Sequence, residues 1–216
     1  MIVFLLAKVK HYIFQRKIFV NRLIDSYQWY LRDRTLDPPQ ELMESLKNLN
    51  ANSISHSSTT LLRHLVRTYQ LLKKWKVPEY VCVSGLYHSI YGTQTFQKFL
   101  IDPQQRETLL ELVSYRSEKL VYYFYIHDKK DFLKNLTKTK SLALKNRFDN
   151  SIIYISADEF LDLLRIRLAD YIEQMERTKS SANFLKGRLD ESKSFIDGKE
   201  YSAILNNLPV SYLKKT

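Results

Sequence analysis

Two histidines stand in otherwise apolar company: His64 in "LLRHLVRTYQLL" and His88 in "CVSGLYHSIYGT". A neutral imidazole offers one lone pair to a metal ion or a proton, and its N–H needs an acceptor. Residues three and four apart share a face of an α-helix. Thr60, His64 and Thr68 therefore form one polar stripe, and Gly85, His88 and Ser89 form a second. A short turn at Lys76-Val77-Pro78 makes the two helices a hairpin and can bring the stripes together. Two imidazoles meeting across such a hairpin begin a site for one divalent ion, whether iron, manganese or zinc. The third ligand should be a carboxylate. Asp170, in "IRLADYIEQMER", interrupts an apolar helical face and fits best, with Glu118 and Asp128 behind it. Thr60, Thr68, Ser89 and His56 can then hydrogen-bond the ring nitrogens or a substrate, and His56 or Tyr91 can handle protons. Arg63, Arg67 and Arg116 are the nearest cations for an anionic group, each on a face that also reads as solvated. A histidine on an apolar helix is also met as a hydrogen-bonded core residue, which leaves a metal-free pocket open. Gly85, inside a helix, costs about 1 kcal/mol against alanine and asks for the close approach of a neighbouring helix or a ligand.

These side chains need long helices to hold them. A first helix, continuous or broken, is expected over residues 4–34, and a short one from Pro38 or Pro39 to Leu49. "NANSISHSS" reads as a polar loop ending in N-cap residues. A strong helix over 59–76 follows, with Leu61, Leu62, Leu65, Tyr69 and Leu72 at helical spacing. Pro78 opens the next, which Gly92 closes. Asp102-Pro103 predicts a helix through Val113, and "SEKLVYYFYI" continues as helix more readily than as strand. Residues 127–151 are basic, polar and weakly periodic, and read as a mobile insertion or lid; His127-Asp128 reads there as a solvated turn. Ser156 to Glu159 is a capping box that opens a helix through about Arg177. Residues 179–216 read as a short helix and a docking tail, and His11 and Cys82 as packing residues. The expected fold is all-α, with an N-terminal extension (1–50) packed on a core (51–178) and a C-terminal helix and tail (179–216).

The chain has 216 residues, 44% of them hydrophobic, enough for one well-filled core. Four glycines and five prolines are few for a β-rich protein. A net charge of +11 attracts polyanions or an anionic membrane surface without naming either. The lone cysteine excludes an internal disulfide and fits a reducing, cytoplasmic setting. The apolar start, Met1 to Ala7, is shorter than a membrane span and lacks the order of a signal peptide. The basic amphipathic pattern after it suits packing on the domain, or lying on a membrane. No Gly-rich phosphate loop, serine nucleophile elbow or paired-cysteine zinc motif is present.

"HLVRTYQLLKKW…VPEYVCVSGLYHSIYG" is similar to the core helices of the HD superfamily. There a histidine on one helix is followed a helix later by a His-Asp pair, and a late helix supplies an aspartate. Residues 55–93 resemble more closely an HD-like family marked by "SH…TLL-HL–TY-LL—W" and "C-AGLFHSIYGT", and "LADYIEQMER" resembles its late helix less tightly. The resemblance covers about a third of the chain. It implies an HD-domain-like helical bundle in which His64 takes the first histidine's place, His88 that of the paired histidine and Asp170 that of the late aspartate. Ser89 stands where the pair has its aspartate, and a serine hydroxyl is a poor ligand that brings no charge. Two functions are expected from different classes. One is an enzyme acting on a small polar or anionic substrate, hydrolytic or oxidative, with His64, His88 and Asp170 around one divalent metal. The other is a metal-free binding protein whose basic surface contacts a nucleic acid, an acidic partner or a membrane.

Overall fold

The computed structural model describes Val20, residues 33–135, 142–178, Gly187, 189–206 and Leu208. The helix expected over 4–34 therefore lies outside the described residues, apart from Val20 and its last positions, 33 and 34. There, Arg34–Leu36 form a 3-10 turn after Asp33, whose carboxylate caps it. Helix α1 (Gln40–Asn48) follows the proline pair. The loop after it holds a small hairpin, β1 (Ser55–His56) and β2 (Thr59–Thr60), paired antiparallel. Its two-residue turn places Ser57 at φ 44° and Ser58 at φ 68°. These left-handed values suit a tight hairpin and ordinarily go to asparagine or glycine.

Four helices make the core: α2 (Leu61–Lys74), α3 (Glu79–Tyr87), α5 (Tyr115–Ile126) and α7 (Ala157–Thr178), with α4 (Glu107–Leu110) a single turn. Helix α2 packs on α3 and α7, and α3 and α5 also meet α7. Local chemistry sets their starts. The Thr60 hydroxyl accepts from the Arg63 N–H at 3.3 Å and Ser114 from Ser117 at 3.2 Å. Ser156 and Glu159 close the expected capping box, each accepting the other's N–H at 3.1 and 2.9 Å. Phe160, Leu163, Leu164, Leu168 and Ile172 on α7 are all buried. The same hydrophobic cluster includes Leu46 on α1 and Leu189, Ile196 and Ile204 near helix α8 (Gly198–Asn206), so both flanking segments share the core.

The fold is mainly helical, with two corrections to an all-α reading. One is the β1–β2 hairpin. The other is the segment expected to be a mobile lid, where α6 (Lys129–Lys134) and an antiparallel pair, β3 (Leu142–Lys145) and β4 (Ile152–Ile155), are formed. Asp128 caps α6 by accepting from the Lys130 and Asp131 N–H groups. His127 is not on a solvated turn; it is buried between Phe124 and Phe132. Asp102 accepts from the Gln104 N–H in a local turn, and helix begins only at Glu107. Helix α3 ends at Tyr87, and residues 88–91 form a turn before Gly92 at φ 81°. Among the described residues, no helix is long and apolar enough to cross a membrane.

Gly85 is explained by helix packing. A Cβ there would lie 2.3 Å from Leu72 Cδ1 of α2, inside contact distance. Gly85→Ala therefore sets an overpacking cost of about 1–3 kcal/mol against a helix-propensity gain of about 1 kcal/mol. The expected result is a net loss of about 1 kcal/mol in urea unfolding. In a Leu72→Ala background the clash is gone, and the same substitution becomes stabilising. A destabilising Gly85→Ala in both backgrounds would refute this explanation.

Candidate metal centre and its pocket

The close α2–α3 contact brings His64 and His88 together. His88 is the first residue past α3, where carbonyls lack helical N–H partners. Its Nδ1–H donates to the Gly85 carbonyl at 2.7 Å, which leaves the Nε2 lone pair pointing away from the helix. That nitrogen lies 3.2 Å from His64 Nε2. Asp170 on α7 completes the group, with Oδ1 3.4 Å from His64 Nε2 and 3.5 Å from His88 Nε2. All three residues are buried, and one ligand atom from each can hold a metal ion. Tetrahedral coordination with bonds of about 2.0–2.1 Å separates ligand atoms by about 3.3–3.4 Å; an octahedral edge is nearer about 3.0 Å. The observed edges of 3.2–3.5 Å are short enough for one ion to span.

Glu173, one turn beyond Asp170 on α7, accepts from His64 Nδ1. A carboxylate on the far nitrogen fixes the tautomer that presents Nε2 inward, and it raises the ring's basicity. Burial opposes a charge on His64, yet the Glu173 and Asp170 carboxylates outweigh it and raise its pKa to about 9. Burial likewise disfavours the charge of Asp170, and the hydrogen bond from His64 leads the effects that overcome this, holding its carboxyl well below the usual range. Behind Asp170, the buried Arg167 guanidinium lies 3.6 Å from Oδ2. Arg167 also donates to Nε2 of His127, whose own Nδ1–H donates to the Tyr123 carbonyl at 2.9 Å. It lies 4.1 Å above the Phe124 ring as well. Arg167 is thus held on three sides.

Two corners of the triangle, His88 and Asp170, line a cavity of about 400 Å³ together with His56, Ser89, Phe96 and Lys129, and His64 lies behind them. The β1–β2 hairpin lays the His56 ring on His64, with centroids 4.3 Å apart and planes 20° from parallel, and Phe96 meets it edge-on. Burial, then the neighbouring charge of His64, lowers the pKa of His56 to about 3. Its buried Nδ1 has no hydrogen-bond partner among the described residues. A neutral imidazole with an unused nitrogen therefore borders the cavity.

Other side chains read as site residues go elsewhere. The Thr60 hydroxyl caps α2, that of Thr68 donates back to the His64 carbonyl at 3.0 Å, and neither stripe threonine lines the cavity. The Tyr91 hydroxyl donates to Glu118 at 3.1 Å, and Arg106 pairs with the same carboxylate, which removes Tyr91 from proton handling and Glu118 from metal ligation. Asp128 is occupied as a cap. Arg116 lies over the Tyr80 ring and 3.5 Å from Asp162, in a different groove from the histidines. Arg63, half-buried on α2, is absent from the cavity lining, whereas Arg67 lies 3.9 Å from Glu173. Ser89 does line the cavity. The cation there is Lys129, which the sequence does not single out. Glu173 and Arg167 were also missed, though each lies three residues from Asp170 and shares its helical face. Cys82 is a packing residue as expected: burial pushes its thiol up to about 12.

A protein-family profile described as a domain of unknown function, DUF6817, matches residues 45–129. That stretch carries His56, His64, His88 and Lys129 and ends before Asp170. No curated protein gives a significant match to the chain. Nor does any solved structure.

Proposed function

We propose that this chain is a metal-dependent enzyme of HD-like architecture that acts on a small polar substrate by metal-assisted hydrolysis. The observation that carries this reading is the buried triangle of His64 Nε2, His88 Nε2 and Asp170 Oδ1 beneath a cavity of substrate size. The two-histidine, one-carboxylate set suits zinc, iron or manganese. Three protein ligands with a fourth position left for water is the arrangement of catalytic zinc sites. When bound, the ion would supply a Lewis acid and an activated water. The chain's own residues do the rest. Glu173 and Arg167 hold His64 and Asp170 in place, and the neutral His56 ring, stacked on His64, borders the substrate position. The resemblance of residues 55–93 to HD-like proteins supports the same positions, with Ser89 in place of the aspartate that would help anchor a metal in that superfamily.

One observation favours a metal-free alternative. A doubly protonated His64 can donate from Nδ1 to Glu173 and from Nε2 to the His88 lone pair, which satisfies the cluster without an ion. On this reading the basic surface is the functional part.

Elemental analysis of untagged protein separates the two. The expected result is one zinc per chain, and none in a folded His64→Ala/His88→Ala variant, with folding checked by circular dichroism. Iron in place of zinc would replace the hydrolytic reading with an oxidative one. Absence of metal, with polyanion binding that falls steeply with salt, would establish the alternative.

A further inference from the structure

We infer that the cavity contains an anion subsite at Lys129, so that the substrate is a small molecule bearing a compact oxyanion. The inference rests on reading this cavity as the active site. Lys129 opens α6 and lines the cavity wall. Its position is fixed: the backbone N–H donates to Gln94 Oε1 at 3.1 Å and the ammonium to the Thr95 hydroxyl at 2.9 Å. The neighbouring Asp128 is committed to the Lys130 and Asp131 N–H groups and to Gln94 Nε2 at 3.1 Å. Among the described residues, the partner of this half-buried ammonium is therefore a neutral hydroxyl and not a carboxylate. An ammonium has three N–H donors, and Thr95 takes one. A part-buried cation with no carboxylate in contact is costly, and an anionic ligand touching it would reduce that cost.

The surrounding charges point the same way. Arg167, also cationic, lies behind Asp170, and Arg147 contributes from beyond β3. With a divalent ion bound, the ion, Arg167 and Lys129 would carry four positive charges against the two carboxylates of Asp170 and Glu173. Arg67 would add another beside Glu173. Burial, and then the charge of Arg167, push the Lys129 ammonium down to about 8, against the opposing pull of the Asp170 carboxylate. Ser89, Thr93 and Thr95 line the same cavity and offer hydroxyl donors to an oxyanion.

The test titrates inorganic phosphate and acetate into zinc-loaded wild type, Lys129→Met and Lys129→Arg by calorimetry, with zinc content measured on each. Wild type is expected to bind one of the two probes in the cavity. Lys129→Met should weaken it at least tenfold and Lys129→Arg less, with zinc content unchanged. Tighter phosphate would indicate a phosphorylated substrate, and tighter acetate a carboxylate. Equal affinity in wild type and Lys129→Met, or no binding of either probe to wild type, would overturn the subsite and leave the metal reading standing. Lys129-dependent binding in a chain that takes no zinc would sustain the subsite and remove the metal. Should Lys129→Met fail to fold, a comparison of Lys129→Arg with Thr95→Val decides: loss in neither variant counts against the subsite.

Discussion

Zinc affinity is expected to rise about tenfold for each pH unit from about pH 7 and to level off near pH 9. The cause is a proton that occupies the position of the metal. In the metal-free chain, Glu173 on one side of His64 and Asp170 on the other hold the imidazolium up to about 9 despite burial. An ion needs the Nε2 lone pair, so it must displace that proton, and the competition weakens as pH approaches the raised value. Asp170, held far below its usual range, stays ionised throughout and adds no slope. The sign for folding is the opposite. An unfolded histidine titrates near about 6.5, so the stabilisation that His64 gives the metal-free protein is complete below that pH and is lost as pH rises through about 9. Competition against a chromophoric chelator between pH 6.5 and 9 measures the affinity, and urea unfolding of the chelator-treated protein measures the stability. A flat affinity across this range would mean that His64 is already neutral and that Glu173 is not its charge partner.

The parts of the site that were legible in sequence are those set by helical periodicity. His64 and His88 fall on facing arms of a hairpin because Leu61, Leu65, Tyr69 and Leu72 fix which side of α2 is buried. Gly85 then reads as a point of close approach, and Leu72 is what approaches. Asp170 was visible as a charge on an apolar face. The capping box at Ser156 and Glu159 gave the start of α7 for the same reason, since both partners are local.

What was not legible depends on contacts distant in sequence or on turn chemistry that the residue types conceal. Ser57 and Ser58 adopt left-handed conformations that glycine or asparagine would have announced, so the hairpin that lays His56 on His64 looked like a polar loop. Thr60 and Thr68 fit a polar stripe by spacing, but hydrogen bonds to the adjacent backbone use their hydroxyls. His127 looked solvated beside Asp128 because its partner, Arg167, is 40 residues away. Lys129 sits in a basic stretch where no pattern separates it from Lys130, and only the docking of segment 93–96 against α6 selects it.

Asp170→Ala is expected to lower the unfolding free energy of the metal-free protein by about 3–5 kcal/mol at pH 7, the range for breaking a buried ion pair by removing one partner. The substitution leaves the Arg167 guanidinium buried without the carboxylate 3.6 Å away, and it strips the His64 imidazolium of one of its two anions. Asp170→Asn keeps the size and an acceptor oxygen and removes only the charge, so its loss should be smaller, about 1–3 kcal/mol. Both variants lack the anionic ligand, and here their behaviour converges. Saturating zinc at 100 times its dissociation constant should stabilise wild type by about 2.7 kcal/mol and neither variant appreciably. Urea unfolding with and without zinc reads all of these quantities on one axis. Wild-type stability in Asp170→Ala would mean that this carboxylate is not the partner of Arg167 and the histidines. Zinc stabilisation that survived in Asp170→Asn would place the ion's anionic ligand elsewhere, with Glu173, the other carboxylate against His64, as the residue to replace next.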